Sequence, residues 1–170
     1  MPDTSLGITY PASTDHTRIW EHFQTLAQDV DDLLSRKGFV AESIRNTASP
    51  NVTGTETVIQ SVTFDAIVGV RYKAAAVQSF QSTGSGDSAV ARLRWAAGIS
   101  VTSGGAQIDS KIVPSYAANL GFVTPMGGFF VAAATGKITV GVTVVRNTGT
   151  NTWSSFGNAS QLNTISVEGA

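Results

Sequence analysis

A run of apolar residues at heptad spacing between Ser13 and Lys37 constrains the fold of this chain more than any other feature. Spacings of four and three alternate along it, which is the pattern by which one helix packs against another. We predict a helical stem at 13–38, after an extended leader at 1–12, that bundles with copies of itself; packing on its own β domain is the alternative. The predicted oligomerisation residues are Ile19, Trp20, Phe23, Leu26, Ala27, Val30, Leu33 and Leu34.

The composition changes after this stretch. Residues 39–54 are rich in Asn, Ser, Pro and Gly and are predicted to form a linker. Nearly half of the charged residues precede position 47, although most of the chain follows it. Only 14% of the 170 residues are charged, against about 25% in typical domains. A charge-poor domain suits uncharged surfaces that are buried between subunits.

From position 55 onward apolar and polar residues alternate, which is the period of β-strands. About eight short strands with turns between them predict a mainly β domain at 55–170, an antiparallel β-sandwich or jelly roll. Segment 128–134 (GFFVAAA) indicates a buried strand, and 152–156 is expected to return as a hairpin after 137–146. The other candidate segments are 57–64, 68–76, 89–97, 99–101, 107–113 and 163–167.

Charge and residue content exclude several classes of partner. The net charge is −1, which gives no electrostatic case for nucleic acid or an anionic membrane. No apolar run reaches the ~18 residues needed to span a bilayer, and there are no cysteines. The only histidines, His16 and His22, are six positions apart and do not share a helix face as a metal pair would. We therefore expect no cofactor and no metal site.

No catalytic constellation stands out, so we expect no enzymatic activity. No nucleophile-elbow pattern surrounds any serine, and no spacing singles out a pair of carboxylates. Trp153 and Phe156 flank a Gly- and Asn-rich turn and are candidates for stacking on a glycan, although aromatics in a closing hairpin usually fill the core. Alternation also predicts basic side chains on one strand face, opposite Tyr72, Leu93 and Trp95: Arg71, Lys73, Arg92 and Arg94.

Three blocks of the sequence resemble small structural proteins, often termed minor tail proteins, of tailed phages that infect actinobacteria. The blocks are GITYPASTDHTRIWEHFQTLAQDVDDLL, RYKAAAVQSFQST with DSAVARLRWAAG, and GKITVGVTVVRNTGTNTWSSFGNASQLNTISVEG. The resemblance implies a virion protein without catalytic residues, an oligomer with a helical stem and a β head. It does not distinguish tail, baseplate and capsid surface.

These observations lead to two hypotheses. The first is a non-enzymatic virion protein, a homotrimer that binds other virion proteins as a capsid decoration or as a tail appendage, with host cell-wall glycan as a further partner. A trimer is favoured because the apolar seam is broader than a two-stranded seam. The alternative is a monomeric carbohydrate-binding module that recognises cell-wall glycan through Trp153 and Phe156.

Overall fold

The structure is a computed structural model that describes residues 38–157 and 162–170, together with the single helical positions Leu26 and Val30. The chain divides into two compact units, and the second, Phe39–Ala170, is the β domain. The predicted leader and nearly all of the predicted stem lie outside the described residues. The helical stem therefore stays a prediction.

Nine strands make up the described domain, and they form two antiparallel sheets. One sheet has the order β1-β9-β3-β6, with the short β8 also paired to β3, and the other has the order β2-β7-β4-β5. The strands are β1 (Gly38–Arg45), β2 (Thr57–Ala66), β3 (Arg71–Ser82), β4 (Ser88–Ala97), β5 (Ala106–Pro114), β6 (Phe122–Val131), β7 (Gly136–Thr148), β8 (Trp153–Ser155) and β9 (Asn163–Gly169).

The strand order identifies a jelly roll. β4 pairs with β5, β3 with β6, β2 with β7 and β1 with β9, so the pairs are nested around the β4–β5 connection. Successive nested pairs alternate between the two sheets, which is the arrangement of an eight-stranded jelly roll. The predicted mainly β domain with a sandwich or jelly-roll architecture is confirmed, and β8 is an addition to it.

The core lies between the sheets and is built from inward-facing alternate residues. On β7 these are Ile138, Val140, Val142 and Val144, all at most 2% exposed. Across the core, rings form a contiguous cluster in which Phe130 stacks on Trp95 with centroids 5.0 Å apart and lies 5.7 Å from Tyr72. Burial of these aromatic and branched side chains is the main term that stabilises the sandwich.

A buried polar network connects the two sheets at one side of the core. Gln78 Nε2 donates to Gln60 Oε1 at 2.9 Å, and Gln60 Nε2 donates to the Ser43 carbonyl at 2.8 Å. Asn163, which is fully buried, accepts the Ser79 N–H at 2.7 Å and donates to the Phe156 carbonyl at 3.0 Å. Buried polar groups tolerate burial only when they are paired in this way.

Two boundary predictions are wrong. The segment 39–54, predicted to be a linker, contains most of β1, and Val52 within it is buried and pairs with Trp153. The candidate strand 99–101 is part of a loop. β1 pairs on one side only, at the sheet edge, so its residues alternate weakly between buried and exposed.

One pairing prediction is also wrong. Segment 152–156 does contain a strand, but β8 pairs with β3, through Phe80 opposite Ser155, and not with β7. The four basic residues do project away from Tyr72, Leu93 and Trp95, as predicted, but they lie on the outer faces of two different sheets and form no single strip. In the described residues no helix is long and apolar enough to cross a membrane.

Candidate assembly surface

The outward face of β6 carries an apolar stripe. Side chains alternate along a strand, so positions 123, 125, 127, 129, 131 and the following 133 point away from the core. All six are apolar or glycine. Val123 is 60% exposed, Phe129 51% and Val131 53%, and Val77 on the neighbouring β3 adds to the same surface. We call the set Val77, Val123, Pro125, Phe129 and Val131 the β6 face.

Charged side chains border this surface, and a cation–π contact and an ion pair fix their positions. The Arg71 guanidinium lies 4.1 Å from the centroid of the Phe129 ring, a cation–π contact. Lys73, which is paired in register with Phe129, forms a 3.6 Å ion pair with Glu168 on β9. The β6 face is therefore an apolar centre with a polar border, the pattern of a protein–protein interface.

The free edge of β6 is closed to strand addition near its middle. Pro125 has no N–H to donate, and the Gly127 N–H donates to Asp109 Oδ2 at 3.0 Å. Burial opposes ionisation of Asp109, but hydrogen bonds from Gly127 and Ser110 and the charge of Lys111 outweigh it, so its pKa lies below the usual value. Proline and a local carboxylate are known ways to blunt an edge strand. The edge of β6 is therefore blocked near its middle, whereas the β6 face stays open.

The outer face of the four-stranded sheet is different, because its polar groups are engaged with one another. Glu56 accepts hydrogen bonds from Arg92 Nη1 and Arg94 Nε, both at 2.9 Å, and from the Thr143 hydroxyl. Burial opposes the ionisation of Glu56, but these contacts outweigh it and lower the pKa of its carboxyl group. The two arginines are thus positioned by a carboxylate and do not form a free anion site.

The predicted glycan contacts are not brought together as an exposed platform. Trp153 is fully buried and belongs to the core, and Phe156 is half-buried. The structure therefore supports Trp153 as a core residue and not as a glycan contact, because a ring without solvent access cannot stack on a sugar. Of the predicted oligomerisation residues only Leu26, half-buried, and Val30, exposed, are described, and the others lie outside the described residues.

Residues with the chemistry for metal binding do not converge in the described part of the chain. No group of three or more His, Cys, Asp or Glu side chains is close enough to hold an ion among residues 38–157 and 162–170. The most enclosed carboxylate there, Asp87, accepts the Asn151 N–H at 2.8 Å, and Glu56 and Asp109 are engaged in ion pairs and hydrogen bonds.

The β6 face was missed as a site at the level of sequence, although its signal was present. The run GFFVAAA at 128–134 predicts a buried strand, and in the structure the strand begins six residues earlier, at Phe122. One face is buried as expected, whereas the other is open to solvent in the single chain. An apolar pattern on both faces of an edge strand is the signal that identifies such a surface.

Comparison with known proteins gives no family. No family model matches the sequence, and no curated protein matches it. Among solved structures, the chain is similar to the infectious bursal disease virus Gx strain structure, with 12% identity over 78% of this chain and 36% of that one, at a TM-score of 0.41.

A second similar structure is the VP2 subviral particle of infectious bursal disease virus, with 11% identity over 80% of this chain and 38% of that one, at a TM-score of 0.44. A third is TmCBM61 in complex with β-1,4-galactotriose, with 11% identity over 77% of this chain and 70% of that one, at 0.35. The chain spans less than half the length of the viral chains that it matches. The jelly-roll assignment rests on the strand order described above.

Proposed function

We propose that this chain is a non-enzymatic structural protein of a phage virion, a homotrimer displayed on the particle surface as a capsid decoration or a tail appendage. The observation that carries the proposal is the β6 face. A strand that is apolar on both faces, at a sheet edge that cannot accept another strand, has its outer side exposed unless a second molecule covers it.

A second copy of the chain is the partner that these features favour. The charged fraction is low, and the outer face of the four-stranded sheet uses its arginines internally, whereas the β6 face carries three large apolar side chains that are more than half exposed. The heptad pattern between Ser13 and Lys37 independently favours self-association, and its broad seam favours three chains over two.

The virion assignment is supported by where the resembling blocks lie. RYKAAAVQSFQST covers β3, DSAVARLRWAAG covers β4, and the last block covers β7 to β9. Among them β3, β4, β7 and β9 lie in the middle of the two sheets, so the resemblance to phage structural proteins extends through the framework of the jelly roll. The non-enzymatic part of the proposal is supported by the engagement of Glu56 and Asp109 in structural contacts.

The alternative, a monomeric carbohydrate-binding module, needs an exposed aromatic other than Trp153. One observation favours it: Tyr116 is 73% exposed and packs edge-on against Phe122, with centroids 5.4 Å apart. Retention of the chain on insoluble actinobacterial cell wall, lost in Tyr116→Ala, would support a glycan site at that loop. Retention that is independent of Tyr116 would argue against it.

The experiment that tests the proposal is the solution mass of the full chain by light scattering over a range of concentrations. A mass of three chains supports it, and a monomer at all concentrations contradicts it and favours the carbohydrate module. Copy number per particle, measured by quantitative mass spectrometry of virions, then separates the two locations. Many equivalent copies indicate capsid decoration, and a few indicate a tail appendage.

A further inference from the structure

A small apolar pocket opens at one end of the sandwich, where β4 ends and β7 begins. Its volume is about 270 Å³, and it is bordered by Trp95 and Ile138, by the small residues Ala133 and Ala134, and by Lys137. Trp95 is held from one side by stacking on Phe130. The lining is therefore firm, and it is apolar apart from the edge.

An exposed isoleucine stands beside this pocket. Ile99 is 80% exposed, the highest value among the large apolar residues of the described chain. It follows Gly98, whose N–H donates to the Lys137 carbonyl at 2.7 Å and whose carbonyl accepts the Thr139 hydroxyl at 2.8 Å. The loop 98–105 is thus fixed to β7 immediately before Ile99.

A second contact holds the other side of the same loop. Val101 is 5% exposed and packs over Gly141 on the outer face of β7, where an added Cβ would lie 2.4 Å from Val101 Cγ1. Only glycine leaves room for this approach. Ile99 is consequently presented on a rigid loop, and a preorganised apolar anchor loses little conformational entropy when it binds.

We infer that Ile99 of one copy inserts into the Trp95–Ala134 pocket of a second copy. The sizes agree, since a cavity of about 150 Å³ holds a benzene molecule and this pocket is larger. The chemistry also agrees, because an apolar side chain meets an apolar lining. This contact rests on the proposed self-assembly of the chain and specifies which surfaces meet.

The position of the pocket in the fold supports a second copy as its occupant. The outward face of β6 continues from Phe129 and Val131 to Ala133 in the pocket, so the two surfaces form one apolar strip.

The absence of cysteine from the sequence allows a direct test. Ile99→Cys and Ala134→Cys are made in separate full-length chains, which are unfolded, mixed, refolded together and oxidised with copper phenanthroline. A disulfide forms only when the two Cα atoms lie within about 7 Å. We expect a linked dimer that contains one chain of each kind, seen on a non-reducing gel and identified by mass.

The matched control places the cysteine at an exposed position at the opposite end of the sandwich in place of position 99. Tyr116→Cys mixed with Ala134→Cys should give roughly tenfold less linked dimer, because its thiols meet only by random collision. Equal yields from the two mixtures would overturn the contact.

Light scattering on the same samples separates this inference from the proposed function. An oligomer without the Ile99–Ala134 link refutes the placement of Ile99 while self-assembly stands. A monomer refutes both.

Discussion

Phe129→Ser tests the β6 face directly. The ring is 51% exposed in the single chain, and a phenylalanine contributes 150–250 Å² to burial, so roughly 100 Å² remains for a partner to cover. At ~25 cal/mol per Å² this area is worth about 2.5 kcal/mol per contact. Loss of the ring should therefore weaken each subunit contact roughly 60-fold.

The assay is sedimentation equilibrium on the full chain over a wide concentration range, which gives the dissociation constant of the assembly. Ile112→Ser is the matched control, because Ile112 is 68% exposed but lies on β5, in the other sheet. We expect the dissociation constant to rise for Phe129→Ser and to be unchanged for Ile112→Ser.

The stability of the subunit has to be measured separately. Phe129→Ser removes the cation–π contact with Arg71, which is worth about 0.5–1 kcal/mol at an exposed site, and this loss is too small to unfold the domain. Thermal unfolding in dilute solution checks that the domain stays folded. An unchanged dissociation constant in a folded Phe129→Ser chain, or an equal change in both variants, would refute the assignment of the β6 face.

Three further predictions concern the core, the outer sheet face and the stem. Asn163→Ala leaves two buried backbone groups unpaired and should lower the free energy of unfolding by about 2–4 kcal/mol in urea titration; a loss below about 0.5 kcal/mol would show that the network adds little. The lowered pKa of Glu56 means that its contacts with Arg94 stabilise the fold above the unfolded pKa near 4.3, and that this stability is lost as pH falls through the folded pKa. Glu56→Gln should therefore flatten the pH dependence of stability in that acid range, and an unchanged slope would contradict the assignment. Replacing Phe23 and Leu26 with Asp should dissociate the oligomer in light scattering, and an unchanged mass would contradict the predicted stem.

The strands that the sequence predicted well are those in which apolar and polar residues alternate regularly and which pair with a strand on each side. β4 and β7 lie in the middle of their sheet, so the inner face of each is completely buried, and in both strands the inward apolar residues alternate with polar or small ones. β1 lies in the segment whose composition predicts a linker, and its alternation is weak because it pairs on one side only. The alternation of apolar and polar residues reflects which side chains are buried, and an edge strand buries too few side chains for the alternation to be distinct.

Strand pairing could not be predicted from the local alternation of apolar and polar residues. Arg71 and Arg92 are predicted to share a face if β3 and β4 form a hairpin, but in a jelly roll the connection between them crosses to the other sheet. The same limit applies to β8, whose partner is β3 and not the strand before it. Whether a short connection turns back or crosses over depends on the packing of the whole domain.

The burial of Trp153 shows that a residue beside an Asn- and Gly-rich turn need not be exposed to solvent. Its neighbours Asn151 and Gly157 are typical of exposed loops, yet the strand β8 is inserted against β3 and carries the ring into the core. The sequence favours a core location for Trp153 only as a general tendency of aromatic residues in hairpins, because the burial itself depends on a strand about 70 residues earlier in the chain.

An open face beside a blocked edge restricts how copies of this chain associate. Strand addition at a free edge repeats without limit and leads to fibres, and Pro125 with the Asp109–Gly127 hydrogen bond removes donors from that edge. In the proposed trimer the contacts made through the β6 face are related by cyclic symmetry, so they close into a ring. The same strand thus combines attraction on its face with exclusion at its edge, and this combination favours a closed assembly of few copies over an open one.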